Sequence, residues 1–190
     1  PLSGAHMPMV TATDTEAIIK MSAERGYGML TAFLESAERV RAKGDQYEQF
    51  AGAAGIAGAR KNILASRCVY VADSYEEALE DLRPAVAYET SIQAERGFLK
   101  VIKKLLNLDV PNDERAIDVL AGAGLYLLGE PDRIAGQIRD LYEASGGFGT
   151  FLIVSGKDWA SSEKRARSMT RFMEEVAPQL RHLEPEDAAG

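Results

Sequence analysis

Three threonines and one aspartate lie close together near the start of the chain, in the stretch VTATDTEAI at residues 10–18. Strand-like sequence precedes them and helix-like sequence follows, which predicts a strand-to-helix junction. Threonine hydroxyls at such a junction can hold a phosphate together with the free N–H groups of the helix. Thr or Asp before a helix is also an ordinary N-cap, here Thr13 or Asp14. The spacing therefore allows either an anion site at Thr11, Thr13, Asp14 and Thr15 or a cap without a ligand, and the cap is the more common use.

A glycine-rich stretch, GGFGTFLIVSGKDWA at residues 146–160, also suggests a phosphate loop. A phosphate loop needs a strand first, then glycines, then a helix whose N–H groups point at the anion. Here the glycines follow a helical segment and precede the apolar strand sequence. This order favours a structural role, with Gly146 and Gly147 as the C-terminal cap of the preceding helix.

Other chemistries are poorly represented among the remaining residues. The two histidines are His6 and His182, and no His, Cys or carboxylate grouping has metal-ligand spacing. Ser155 lacks the small-residue elbow of a hydrolase nucleophile. The KDW segment after the last strand could approach a site, although packing is the more common role for Trp159. The sequence therefore predicts no metal and identifies no catalytic residue.

The composition is that of one soluble globular domain, with 190 residues, 46% of them hydrophobic and 27% charged. The net charge of −7 argues against a nucleic-acid partner or an anionic membrane, because both need clustered Lys and Arg. No apolar run approaches the roughly 18–20 residues that span a bilayer. The single cysteine, Cys68, lies in an apolar run, so we expect a buried thiol and a cytoplasmic location.

Strand and helix patterns alternate along the chain, which predicts an α/β fold with a parallel sheet and crossover helices. LYLLG at residues 125–129 is a weak strand sequence, and the four stronger ones are residues 7–12, 28–33, 66–73 and 150–156. FLIV has no polar alternation, which predicts burial on both of its faces. Ser74 and Pro131 are predicted to begin helices. Residues 98–129 are longer than a crossover needs, so we expect a helical insertion that adds packing or covers a site.

The residues themselves resemble a known family over nearly the whole chain. The main resemblance lies in residues 129–180, which read GEPDRIAGQIRDLYEASGGFGTFLIVSGKDWASSEKRARSMTRFMEEVAPQL. This segment resembles the C-terminal end of the bacterial-luciferase-like flavin-dependent monooxygenases, with G-x-P, G-G-F-G-T, D-W-A and R-S in that order. Residues 6–33 are similar to the family's fifth strand and the helix after it, and VYVADSYEEALEDLR at residues 69–83 is similar to the seventh.

The resemblance implies a function as well as a fold. Members of the family use reduced FMN, or a deazaflavin in a sister branch, and the monooxygenases oxidise a small organic substrate with dioxygen. The expected partners are therefore that substrate, dioxygen and a flavin reductase as electron source. Thr11, Thr13 and Thr15, with the backbone around Asp14, match the place where the family holds the flavin phosphate.

The resemblance also implies an incomplete barrel. The family fold is a TIM-type (β/α)8 barrel, and this sequence resembles roughly strands five to eight, with residues 98–129 as a helical insertion before the last strand. We expect one luciferase-like domain over residues 1–183 and a disordered tail at 184–190. The chain is either a fragment of a longer enzyme or a half-length protein, and we expect it to form a homo-oligomer or to pair with a missing N-terminal half because its sheet edges are open.

Overall fold

The structure, a computed structural model, describes residues 7–183 and contains a five-stranded parallel sheet. The strands are β1 (Val10–Ala12), β2 (Gly28–Leu30), β3 (Ile63–Val71), β4 (Tyr126–Gly129) and β5 (Thr150–Val154). The α-helices are α1 (Glu16–Glu24), α2 (Ala37–Ala53), α3 (Tyr75–Glu95), α4 (Phe98–Leu106), α5 (Ala116–Gly122), α6 (Pro131–Ser145), α7 (Ser162–Arg171) and α8 (Ala177–Leu180). The α/β class with parallel βα units is therefore confirmed, whereas the proposed tail at 184–190 and His6 lie outside the described residues.

Strand β3 lies at the centre of the sheet and pairs with three other strands. The carbonyl of Leu64 accepts from Thr31 N at 2.9 Å, and Cys68 N donates to Leu125 O at 3.4 Å, so β2 and β4 use the same edge of β3. On the other edge Gly149 N donates to Ile63 O at 3.0 Å, and β5 pairs there. The weak strand sequence LYLLG thus forms β4, so the insertion at residues 98–129 is not helical throughout.

Alternate side chains of β3 pack into different cores. Cys68 and Tyr70 contact a cluster formed with α3, α5 and Trp159, whereas Val69 and Val71 contact α6 and a π-helical turn at Phe172–Val176. Cys68 is 1% exposed, and burial raises the pKa of its thiol to about 12. The prediction of a buried thiol is confirmed.

Strand β5 departs from its predicted burial. Leu152 is 42% exposed, although Phe151 and Ile153 pack against the cores. The prediction that FLIV is buried on both faces is therefore wrong, because the Leu152 face borders an open cavity at the carboxyl ends of the strands. A run of apolar residues indicates a sheet interior but does not show whether both faces are covered.

Three of the helix start and end positions predicted from the sequence are confirmed. The Ser74 hydroxyl accepts from Glu77 N at 3.0 Å as the N-cap of α3, and Pro131 is the first residue of α6. Gly146 ends α6 with a φ of 78°, the left-handed conformation that favours glycine. No helix in residues 7–183 is both long enough and apolar enough to cross a membrane.

Candidate functional site

A cavity of about 430 Å³ lies at the carboxyl ends of three strands. Its apolar surface comes from Leu30 of β2 and from Leu152 and Val154 of β5. Its polar surface comes from the turn between β1 and α1 and from the segment that follows β2. Parallel α/β proteins bind ligands at this end of the sheet, so the cavity is the first candidate site.

The structure separates the four residues that the sequence grouped as an anion site. Thr13 and Asp14 line the cavity. The Thr11 hydroxyl lies 2.8 Å from Ser22 Oγ on α1, so this side chain faces the helix layer instead. Thr15 is the N-cap of α1, although its side chain makes no capping hydrogen bond, and its N–H donates to Thr13 Oγ1 at 3.0 Å. The helix therefore begins one or two residues later than a cap at Thr13 or Asp14 would require.

Two positively charged side chains of α2 approach the turn between β1 and α1. Lys43 Nζ contacts the Asp14 carboxylate and lies 2.6 Å from Glu35 Oε1, and Arg39 Nη2 lies 3.2 Å from Asp14 Oδ1. The hydrogen bond from Lys43, assisted by the one from Arg39, lowers the pKa of Asp14 below its ordinary value. Lys43 and Arg39 thus face two carboxylates, those of Asp14 at the entrance of α1 and of the buried Glu35.

Sequence reasoning missed Arg39 and Lys43. Both follow the Ser36 N-cap of α2, whose hydroxyl accepts from Arg39 N at 3.3 Å. Their spacing of four residues places them on one helix face, and this is the available signal. That signal does not reveal which distant residue the face approaches, so the contact with Asp14 could not be inferred.

Glu35 is the most deeply buried charged group of the cavity, with 2% of its surface exposed. Its Oε1 atom accepts from Lys43 and, at 3.3 Å, from Ala32 N. Its Oε2 atom is buried and has no hydrogen-bond partner among residues 7–183. A buried acceptor without a donor is costly, so a ligand hydroxyl that donates to this oxygen would be favoured.

The cavity therefore combines a helix N-terminus with nearby cations, an unpartnered acceptor and an apolar wall. The first N–H groups of α1, with Lys43 and Arg39 beside them, suit a phosphate. The unpartnered Glu35 oxygen suits a hydroxyl donor, and the leucine side chains suit an apolar ring. No group of three potential metal ligands occurs within the part of the chain that the structure describes.

The glycines of the stretch at residues 146–160 do not line this cavity and have a structural role. Gly146 and Gly147 have positive φ values of 78° and 90° at the end of α6, as predicted for a helix cap. A Cβ atom on Gly149 would lie 2.0 Å from Lys61 O, so this glycine allows β5 to approach the chain before β3. Trp159 is 1% exposed, which confirms its packing role.

Comparison with known proteins identifies a consistent set of relatives. The model of the luciferase-like monooxygenase family matches residues 1–147. Limonene 1,2-monooxygenase from Rhodococcus erythropolis is 29% identical over 177 residues, which are 89% of this chain and 42% of that protein. The 4-hydroxyprotoasukamycin monooxygenase from Streptomyces nodosus subsp. asukaensis is 34% identical over 113 residues, which are 59% of this chain and 29% of that protein.

Solved structures show the same fold. One of them is the oxygenating constituent of 3,6-diketocamphane monooxygenase from Pseudomonas putida, a type II Baeyer-Villiger monooxygenase in complex with FMN. Its TM-score is 0.76 at 22% sequence identity, and the match covers 94% of this chain and 50% of that one. An F420-dependent secondary alcohol dehydrogenase has a TM-score of 0.61 and 16% identity, covering 94% of this chain and 50% of that one. The chain thus spans about half the length of the proteins it matches.

Proposed function

Because the chain belongs to the luciferase-like monooxygenase family, we propose that it supplies the phosphate-anchoring half of an enzyme that oxidises a small organic substrate with reduced FMN and dioxygen. The observation that carries this proposal is the cavity at the strand ends, where the N-terminus of α1, Lys43 and the unpartnered Glu35 oxygen lie together. FMN carries a phosphate, ribityl hydroxyls and an apolar ring, and the cavity has a matching surface for each.

Each residue of the site has a defined part in this proposal. The Thr13 and Thr15 hydroxyls and the first N–H groups of α1 would hold the phosphate, with Lys43 and Arg39 beside it offsetting the Asp14 and Glu35 charges. Glu35 would accept a ribityl hydroxyl through Oε2, and Leu30 would supply apolar surface to the ring. The bound flavin supplies the redox chemistry, and the protein residues fix its position and exclude water from it.

A fluorescence titration without oxygen tests the anchor, using FMN and riboflavin, which lacks the phosphate. We expect FMN to bind at least tenfold more tightly than riboflavin. The paired substitution Thr13→Ala and Thr15→Ala should abolish that difference, because it removes two hydroxyls beside the phosphate. Thr11→Ala is the matched control, since the Thr11 hydroxyl faces Ser22 instead. Equal binding of FMN and riboflavin by the unaltered chain would refute the phosphate anchor.

A deazaflavin is the second candidate cofactor, because F420-dependent proteins share this fold. Such a protein transfers hydride without consuming oxygen. Transfer of one oxygen atom from labelled dioxygen to an organic test compound, with FMN reduced by a flavin reductase and none transferred without the chain, would support the monooxygenase, whereas activity only with reduced F420 and no oxygen transfer would support the alternative. Flavin binding without turnover of either kind would indicate a non-catalytic flavin-binding half.

We further propose that the open side of the sheet pairs with additional strands, either in a second copy of the chain or in a separate N-terminal half. Strand β1 pairs with β2 alone among the described strands, and Val10 is 48% exposed beside it. Leu152 is exposed on the face of β5 that borders the cavity. Sedimentation of the purified chain tests this, and a stable, soluble monomer at high concentration would contradict the proposal.

A further inference from the structure

A second cavity, of about 240 Å³, lies under the insertion and away from the phosphate-binding turn. It is enclosed by α3, α4, α5 and β4, together with the segment that follows β2. Most of its surface is apolar, with Leu99, Ile102, Val110 and Leu120 as the aliphatic contributors. Its volume corresponds to about eight water molecules at liquid density.

One carboxylate, Glu89 of α3, lines this largely apolar cavity, together with the polar side chains of Thr90 and Gln93. Burial, and to a lesser degree the negative charge of Asp158, raise the pKa of Glu89, while the nearby Trp159 indole lowers it. Glu89 has no salt-bridge partner among the described residues. The Thr90 hydroxyl in the same wall already donates to Val86 O at 2.9 Å, so it is not directed at a ligand. Glu89 is therefore the charged side chain of the cavity lining that is available to orient a bound molecule.

The two cavities lie next to each other. Phe33 lines both of them, and Val154 of β5 lines the first while packing against the core that surrounds the second. A molecule in the second cavity would thus lie beside Phe33, which also borders the candidate flavin cavity. This arrangement is the one expected of a substrate pocket beside a cofactor pocket.

We propose that the second cavity binds a compact, uncharged apolar molecule with one hydroxyl group, which donates a hydrogen bond to the Glu89 carboxylate, and that this molecule is the organic substrate of the function proposed above. The apolar walls select for hydrocarbon surface, and the volume limits the ligand to a compact skeleton. The Glu89 carboxylate excludes anionic molecules of the same shape, because two negative charges would share a region of low dielectric. Glu89 is thus a specificity-determining residue. Only the identification of the ligand as the substrate rests on the proposed function.

The fluorescence of the single tryptophan provides a measure of ligand binding in the second cavity. Trp159 is 1% exposed, and its ring centroid lies 5.5 Å from that of Tyr126, which lines the cavity. Intrinsic fluorescence would be titrated with three cage compounds of the same shape, namely adamantanol, adamantanone and adamantanecarboxylate, without any flavin present. We expect a saturable change with adamantanol, weaker binding of adamantanone because its carbonyl cannot donate to a carboxylate, and binding of adamantanecarboxylate at least tenfold weaker than that of adamantanol at neutral pH.

Substitutions distinguish this cavity from non-specific binding. Glu89→Gln should reduce the discrimination against adamantanecarboxylate to less than threefold, because the repelling charge is removed. Glu95→Gln, on the same helix but outside the cavity lining, is the matched control and should leave the discrimination unchanged. Leu120→Phe should weaken all three probes by filling the cavity, and circular dichroism would verify that this variant is folded.

The outcomes separate this inference from the proposed function. An absence of any saturable fluorescence change, or discrimination that Glu89→Gln leaves intact, would overturn the inference, even if the flavin titration succeeds. Saturable probe binding that depends on Glu89, in a chain that binds no flavin, would support the cavity and overturn its assignment as the substrate pocket of a flavin enzyme. Success in both titrations would support the whole proposal.

Discussion

Replacement of Gly149 by alanine provides a sharp test of how the last strand is held against the sheet. Gly149 precedes β5, and its N–H donates to Ile63 O at 3.0 Å. A Cβ atom placed on this residue would lie 2.0 Å from the carbonyl oxygen of Lys61 and 2.6 Å from its carbonyl carbon. Both are backbone atoms, so the contact cannot be relieved by a change of side-chain rotamer.

The magnitude follows from this geometry. The chain must move by more than an ångström to restore an ordinary contact, and overpacking of this kind costs about 1–3 kcal/mol. The movement also weakens the hydrogen bond to Ile63, which contributes about 1 kcal/mol. We therefore expect Gly149→Ala to lower the free energy of unfolding by about 2–4 kcal/mol, which corresponds to a fall in Tm of about 4–16 °C for a chain of this size.

Urea unfolding followed by circular dichroism, together with thermal unfolding, measures this effect. Gly52→Ala is the matched control, because Gly52 lies in α2 and a Cβ atom placed on it would meet no other atom within 4 Å. Alanine there should stabilise the helix by up to about 1 kcal/mol. If Gly149→Ala changed the unfolding free energy by less than about 0.5 kcal/mol, the close approach of β5 to Lys61 would be refuted.

Two further predictions concern buried charges. Lys43→Met leaves the buried Glu35 carboxylate without its cation, so urea unfolding should show a loss of about 3–5 kcal/mol. Lys103→Met removes only the exposed pair with Asp109 and should cost less than about 1 kcal/mol, and equal losses in the two variants would contradict this reasoning. Burial raises the pKa of Glu89, so the folded chain disfavours the ionised form of this side chain. The contribution of Glu89 to the free energy of unfolding is therefore most favourable below pH 4.5, the ordinary pKa, and decreases as the pH rises through the higher pKa of the folded chain. Unfolding curves from about pH 4 to about pH 8 should show Glu89→Gln gaining stability over the unaltered chain as the pH rises, and parallel curves would refute the shift.

Features that depend on neighbours in the sequence were predictable. The alternation of strands and helices, the Ser74 cap, Pro131 at the start of α6 and the Gly146 cap all follow from local sequence. The cap of α1 was misplaced because Thr13, Asp14 and Thr15 are all suitable capping residues, and only the backbone geometry selects Thr15.

Features that depend on tertiary contacts were not predictable. The approach of Lys43 to both Asp14 and the buried Glu35 requires α2 to lie against the turn before α1. The exposure of Leu152 likewise depends on what covers one face of the sheet. The second cavity is formed by segments far apart in the chain, so no single stretch of sequence indicates it.

The central position of β3 has a consequence for the order of folding. The hydrogen bond between Thr11 and Gly28 joins residues 17 apart, whereas Arg60 donates to Ser145 O across 85 residues and Val71 N donates to Ser168 Oγ across 97. Contacts of such high sequence separation form slowly because a long loop must close first. During synthesis, β3 emerges well before β5. The edge of β3 that pairs with β5 in the folded chain therefore stays unpaired until β5 has been made. We expect that edge to be the site of chaperone binding or aggregation in the nascent chain.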